Sequence, residues 1–367
     1  GDAEVDELIQ NTQREATSKF NFLEWIPYES LLDVKQIGKG GFGLVYSAKW
    51  VDGPRSKWCS ETKTWARYPG VDVALKCLVE GKPNKELFEE ILSHLAVNKG
   101  VLGRNNTLRI YGLTRNPQIP DKFMMVMTLG DEGDLRSFIN KNFPHLDYLK
   151  KLEILFDIIT GILQIHRVDL VHRDLHCANI MCQRFIKPEE GRDDRKYVVG
   201  DLGLTRNVLH KNKHFYGRIS YCAPEVLESQ KFSKASDIYS FGIIMWELVT
   251  GQKPFANIDQ EVLRILIAIG NTPINISEPK IDVHFPPCYE LLMKQCWNRE
   301  PEKRPSAQKI YETIGVWLQT LMFAKDGMIA QEFSEANKKR PTKIPEEAGP
   351  QLSMSHPADS SDFGMAL

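Results

Sequence analysis

His172-Arg173-Asp174-Leu175-His176-Cys177-Ala178-Asn179 sets a carboxylate, Asp174, and an amide, Asn179, five residues apart, directly after the apolar run Asp169-Leu170-Val171. Further on, Asp201-Leu202-Gly203 follows a second strand-like run, Tyr197-Val198-Val199. Two carboxylates and an amide on neighbouring strand ends suit the holding of Mg2+ against a nucleotide while a third group handles a hydroxyl proton. Upstream, Gly38-Lys39-Gly40-Gly41-Phe42-Gly43-Leu44-Val45 fits Gly-x-Gly-x-x-Gly-x-Val. Glycines there let the backbone approach phosphate without a β-carbon clash, and Phe42 can cap the turn from solvent. A strand follows this turn where a dinucleotide site needs a helix, so a βαβ cofactor unit is disfavoured. In Val73-Ala74-Leu75-Lys76 the lysine ends an apolar run and must escape burial or find an anion. Beside the glycine turn it reads as a clamp on the α- and β-phosphates, with Glu90, in preference to Glu89, as its counter-ion. The joint reading is phosphoryl transfer from ATP.

The chain has 367 residues, enough for one large or two ordinary domains, with 47 basic and 48 acidic side chains. That balance argues against a polyanion or a membrane surface as the main partner, so neither a nucleic-acid partner nor membrane insertion is expected. Seven scattered cysteines without CxxC pairs read as reduced thiols, which predicts a cytoplasmic protein. The polar start lacks the apolar core of a secretory signal, and residues 238–249 are too short to span a bilayer. The first residue is not Met, which leaves open whether the chain is a fragment.

Periodicity predicts an α+β chain. Residues 1–30 form an N-terminal extension whose stretch 20–28 is expected to pack against the first strand. A strand-rich unit follows, with strands near 34–37, 44–48, 71–78, 108–113 and 123–127. It carries one helix over 85–97, with Leu87, Phe88, Ile91 and Leu95 on one face. From Leu135 the pattern is mainly helical. A long helix over 149–167 would bury Leu152, Leu155, Phe156, Ile159, Ile162, Leu163 and Ile165, and further helices are expected at 234–250, 259–269, 287–297 and 306–323. Polar insertions at 51–70 and 187–196 lengthen two hairpins. Residues 324–367 are polar and proline-rich, which predicts a disordered C-terminal tail.

Taken with Ala223-Pro224-Glu225, Lys303-Arg304-Pro305 and Asp237-Ile238-Tyr239-Ser240-Phe241-Gly242, the chain resembles the eukaryotic protein kinases over about residues 31–320. The resemblance implies a two-lobe fold over 31–323. An antiparallel-sheet N-lobe with one helix (31–127) would join a larger, mainly helical C-lobe (131–323) through a hinge, Thr128-Leu129-Gly130. It implies ATP and Mg2+ as cofactors and a protein substrate, and it leaves the oligomeric state open. Asp174 would handle the substrate hydroxyl proton, and Asn179 and Asp201 would hold the metal. Gly38, Gly40, Gly41, Phe42 and Gly43 would cover the phosphates, which Lys76, paired with Glu90, would clamp. Val45, Ala74 and Met181 would enclose the adenine, with Met127 gating the deeper pocket. His94, Ile110, His172 and Leu202 would form the column linking the lobes, both histidines acting as packed core residues. Glu225 would pair with Arg304. Asp237, a carboxylate too costly to bury unpaired, would accept backbone N–H bonds from the His172–Arg173 turn. The phrasing at Trp25-Ile26-Pro27-Tyr28, 73–78, 236–247 and Cys296-Trp297 is similar to the tyrosine-kinase-like group, especially an expanded set of mycorrhizal fungi, whose members are taken to be Ser/Thr kinases.

Several positions depart from that pattern. Leu202 replaces the usual Phe, which keeps an apolar filler. His176 stands where Ser/Thr kinases carry a lysine, and neutral imidazole offers one donor and no fixed charge. Arg218 replaces the threonine that bridges the substrate loop to the catalytic aspartate; it can reach Asp174 or select acidic substrates. Thr205, Tyr216, Ser220 and Tyr221 are the candidate phosphorylation hydroxyls, with Arg173 as phosphate partner. The leading expectation is a Ser/Thr protein kinase of intracellular signalling. A nucleotide-binding pseudokinase scaffold and a Tyr or dual-specificity kinase are the alternatives. A small-molecule kinase is disfavoured by Ala223-Pro224-Glu225, Arg304 and Asp237.

Overall fold

The computed structural model describes residues 2–17, 21–40, 43–77, 84–99, 105–119, 122–187, 192–207, 218–276, 284–324 and 327–344. Helix α1 (Ala3–Arg14) begins where the Asp2 carboxylate accepts from the Glu4 and Val5 N–H groups at 3.1 and 3.4 Å, a side-chain N-cap. Next come β1 (Glu24–Trp25), β2 (Leu31–Gly40), β3 (Gly43–Trp50), β4 (Arg55–Cys59), β5 (Thr64–Arg67), β6 (Val71–Cys77), α2 (Asn84–Asn98), β7 (Ile110–Arg115) and β8 (Phe123–Thr128). One sheet runs in the order β1-β7-β8-β6-β3-β2 and is antiparallel throughout except where β1 joins β7. The 51–70 insertion folds as the β4–β5 hairpin, whose Arg55 and Arg67 both hold Glu24 of β1.

The N-terminal extension meets the sheet at two places: Ile26 and Tyr28 share a cluster with Leu31 and Val34 of β2, as the sequence suggests, and β1 adds an edge strand. β1 pairs in parallel with β7, at the sheet edge opposite β2, with Glu24 facing Gly112 and Trp25 facing Leu113. A β-carbon at position 112 would run into the Glu24 backbone, so only glycine admits β1 there. Val5 and Ile9 of α1 are buried in one cluster with Leu87, Phe88, Ile91 and Leu95, the apolar face of α2.

The second lobe contains α3 (Leu135–Asn142), α4 (Tyr148–Arg167), β9 (Leu170–Val171), β10 (Ile180–Lys187), β11 (Arg192–Val199), β12 (Arg206–Asn207), α5 (Pro224–Ser229), α6 (Lys234–Thr250), α7 (Gln260–Ala268), α8 (Pro273–Ile276), α9 (Pro287–Cys296) and α10 (Ala307–Gln319). The expected core side of α4 is buried except at Phe156, which is half-buried and stacks on Tyr311 of α10 at 4.7 Å. Helix α6 is buried from Ser236 to Thr250 and has no solvent stripe. A β-carbon on Gly242 would lie 2.9 Å from Cys296 Cβ, so this glycine lets α6 and α9 touch.

Residues 324–367 do not all form a loose tail. Helix α11 (Met328–Lys339) docks on the second lobe with Phe333 and Ala336 fully buried. The Phe333 ring sits 5.6 Å from both Tyr148 and Trp317, and the Tyr148 N–H donates to Asn337 Oδ1 at 2.9 Å. Ile329, Phe333 and Ala336 recur at helical spacing within a polar composition, and that stripe outweighs the composition. Residues 345–367 of the expected tail lie outside the described residues, as do Gly41, Phe42, Tyr216 and the 188–191 tip of the second insertion. All seven cysteines are free, and among the described residues no helix is long and apolar enough to cross a membrane.

Candidate active site

Strand β6 is buried from Val73 to Cys77, so Lys76 cannot reach solvent and its ammonium must meet anions. Lys76 Nζ lies 2.8 and 2.9 Å from the two carboxylate oxygens of Glu90 and 2.8 Å from Asp201 Oδ1. Burial disfavours its charge, but Glu90 and then Asp201 outweigh it and the pKa is raised. Glu90 is buried on the α2 face that meets the sheet, whereas Glu89 is only half-buried. Asp201 follows β11 in a left-handed conformation, φ 52°. Burial raises its pKa, yet the Lys76 charge prevails and holds the carboxyl below its ordinary range. A β-carbon on Gly203 would come within 3.2 Å of both Asp201 Oδ1 and Glu90 Oε2, so glycine leaves room for the two carboxylates.

The segment carrying Asp174 is held from beneath. Asp237, at the start of α6, accepts from the His172 N–H at 2.9 Å and the Arg173 N–H at 3.0 Å. These bonds fix Arg173 at φ 73°, a conformation that costs a non-glycine residue energy. His166 Nε2 is 2.9 Å from Asp237 Oδ2; a carboxylate only accepts, so the imidazole donates. His172 Nε2 donates to the Gly200 carbonyl at 2.9 Å and its Nδ1 accepts from the Asp174 N–H at 3.3 Å, which fixes its tautomer. His94, Ile110, His172 and Leu202 are all buried, and burial with the Lys76 charge pushes the His94 pKa down to about 3.

Asn179 Nδ2 donates to the Asp174 carbonyl at 2.8 Å and lies 3.4 Å from Asp174 Oδ2. Asp174 Oδ1 is buried and has no hydrogen-bond partner among the described residues; His176 Nε2 stands 3.5 Å away. Burial raises the Asp174 pKa, but the His176 imidazole and then His172 bring it below the usual carboxylate range. A buried, ionised acceptor without a donor is a place for an incoming hydroxyl.

Ala74 and Met127 belong to one buried cluster, against which Val45, Leu129 and Met181 pack with part of their surface open. Gly130 lies against Met181, whose side chain a β-carbon would meet at 3.0 Å. The Thr128 N–H is committed to the Arg109 carbonyl at 2.9 Å. Gly38 pairs with Val45 and Gly40 with Gly43 in the β2–β3 ladder. Arg304 grips Glu225 with two bonds of 2.7 Å each, the expected pair. Of the hydroxyl candidates, Thr205 and Tyr221 are buried, and Tyr221 donates to Glu247; Ser220 is half-buried.

The chain matches the family described as protein tyrosine and serine/threonine kinase over residues 31–314. It belongs to that family. This kinase chain is 28% identical over 298 residues to Serine/threonine-protein kinase CTR1 of Arabidopsis thaliana, covering 79% of this chain and 32% of that protein. It is 27% identical over 305 residues to Mitogen-activated protein kinase kinase kinase 7 of Homo sapiens, covering 82% of this chain and 44% of that protein. The chain thus spans under half the length of these curated relatives. Two features of this kinase unit escape sequence reasoning. His166 supports Asp237 from the end of α4, and Arg136 of α3 reaches Glu247 of α6 at 2.7 Å. The only sequence signal for either is a buried carboxylate in need of a donor.

Proposed function

We propose that this chain is a protein kinase that moves the γ-phosphoryl group of ATP onto Ser or Thr hydroxyls of protein substrates. The observation that carries this reading is the convergence of Glu90 and Asp201 on the Lys76 ammonium, with the backbone carbonyl of Asn179 accepting the Gly200 N–H at 2.9 Å and Asn179 bonded in turn to Asp174. Lys76 would fix the α- and β-phosphates. Val45, Ala74, Met127, Met181 and the 128–130 segment would enclose the adenine, and Gly38, Gly40 and Gly43, with Gly41 and Phe42, would cover the phosphates.

The residues fit Mg2+ as the metal. Asn179 and Asp201 offer oxygen donors, and among the described residues no cluster of three His, Cys, Asp or Glu side chains forms a cage. Mg2+ is usually held in this way, by one or two protein oxygens plus phosphate and water. The Asn179 amide nitrogen is taken by the Asp174 carbonyl, which leaves its oxygen as the ligand end. When bound, the metal would neutralise charge on the phosphate oxygens. Asp174 would orient the acceptor hydroxyl and take its proton through Oδ1.

The kinase unit would span 31–323, with 1–30 and α11 as additions. Its placement in the tyrosine-kinase-like group, near the expanded mycorrhizal set, and a cytoplasmic location belong to the same proposal. A nucleotide-binding pseudokinase is the second reading, favoured by the imidazole of His176 beside Asp174. Purified protein with Mg2+ and γ-labelled ATP is expected to label itself or a generic protein on Ser or Thr, and Asp174→Asn to abolish the label. Equal silence of both proteins, with ATP still bound, would establish the second reading instead.

A further inference from the structure

Beside the catalytic segment lies a second concavity, of about 210 Å³, that the chemistry above does not use. Ala178 forms one wall, Arg218 and Tyr221 another, and Lys253 and Phe255, after α6, a third; Arg136 of α3 closes it. No carboxylate lines it among the described residues. Glu247, behind Arg136, is fully buried and already taken: it receives Arg136 Nη1 at 2.7 Å and the Tyr221 hydroxyl. Arg136 is therefore partly neutralised, and its Nη2 also donates to the Gly251 carbonyl at 2.6 Å. Arg218 and Lys253 differ. Both are exposed, and neither side chain has an ion pair or hydrogen bond among the described residues.

Unmet cations in a concave site with an apolar floor focus positive potential and draw in an anion. A guanidinium fork matches a carboxylate or a phosphate with two parallel bonds. Arg218 also lines the smaller cavity that contains Asp174, which puts the basic pocket next to the place of the acceptor hydroxyl. We infer that the concavity is a subsite for an anionic side chain, Asp, Glu or a phosphorylated residue, flanking the phosphoacceptor of the protein substrate. The inference rests on the protein-kinase reading and names the substrate class of that site.

The test uses the whole chain, Mg2+, a non-hydrolysable ATP analogue, and fluorescent peptides with one central serine. A flanking position carries glutamate, phosphoserine, alanine or arginine. The glutamate or phosphoserine peptide is expected to bind roughly tenfold more tightly than the alanine peptide at low salt. That advantage should shrink as salt rises. In the Arg218→Ala/Lys253→Ala double variant the ratio should fall to about one, and Arg218→Glu/Lys253→Glu should turn the preference toward arginine. A glutamate advantage points to a carboxylate ligand and a phosphoserine-only advantage to a phosphate; both support the subsite. Equal binding of all the peptides, a wild-type preference for arginine, or an acidic preference unchanged in the variants overturns it. Turnover measured in parallel separates the two claims. Peptides that bind by this rule yet are never phosphorylated would keep the subsite and sink the kinase reading.

Discussion

At Lys76 burial works against the ammonium, but Glu90 and Asp201 stand within 2.9 Å and the charge is retained. Lys151, at the start of α4, is equally buried, and its Nζ lies over the rings of Phe143 and Tyr148 at 5.3 and 5.0 Å. Burial, with the Arg340 charge adding to it, pushes the Lys151 pKa down to about 7; Asp147 opposes weakly. From about pH 7 up to the unfolded lysine value of about 10.4, the unfolded chain holds a proton that the folded chain does not. Folding then releases a proton, so wild-type stability from this group rises with pH across that window and is lost as pH falls. Lys151→Met removes the buried amine at similar length and is expected to be more stable than wild type near pH 7, with the gap closing toward pH 10. Urea midpoints of both proteins across that range check this; a gap independent of pH contradicts it.

Helix α2 carries Glu90, and its apolar residues share one buried cluster with Val5 and Ile9 of α1. The same short element that packs against the N-terminus thus positions the partner of Lys76. Val5→Ala/Ile9→Ala is expected to cost about 3 kcal/mol of stability by opening a cavity against Leu87 and Ile91. It should also lower phosphorylation activity, through a looser Glu90, at temperatures where the fold persists. Unchanged activity alongside a lowered melting temperature would confine α1 to a structural role. At the other end, Phe333→Ala should cost about 3 kcal/mol by the same cavity argument, because Tyr148 and Trp317 lose their ring partner. If α11 were dispensable packing, the variant would unfold with wild type.

Across the whole molecule, the segments that meet around Lys76 were legible because the proposed phosphate and metal chemistry demands particular residue types. Lys76, Glu90, Asp174, Asn179 and Asp201 are quoted from four distant stretches, and the fold brings them to one place. The support of Asp237 for the His172–Arg173 turn was legible too, since an unpaired buried carboxylate is too costly to exist. The edge position of β1 was not, because it depends on the absence of a side chain at Gly112, more than eighty residues away. Helix α11 was hidden because three apolar residues at helical spacing do not register against a polar average. The Arg136–Glu247–Tyr221 cluster joins α3, α6 and the segment before α5, and no local pattern announces a contact of that range. The account depends on Lys76 and Asp201 framing one nucleotide and its metal. Calorimetric titration of ATP into wild type and Asp201→Asn, with and without Mg2+, tests this directly. Wild type should bind ATP more tightly with Mg2+ than without, and Asp201→Asn should lose that difference. Metal-enhanced binding that survives intact in Asp201→Asn would contradict the account.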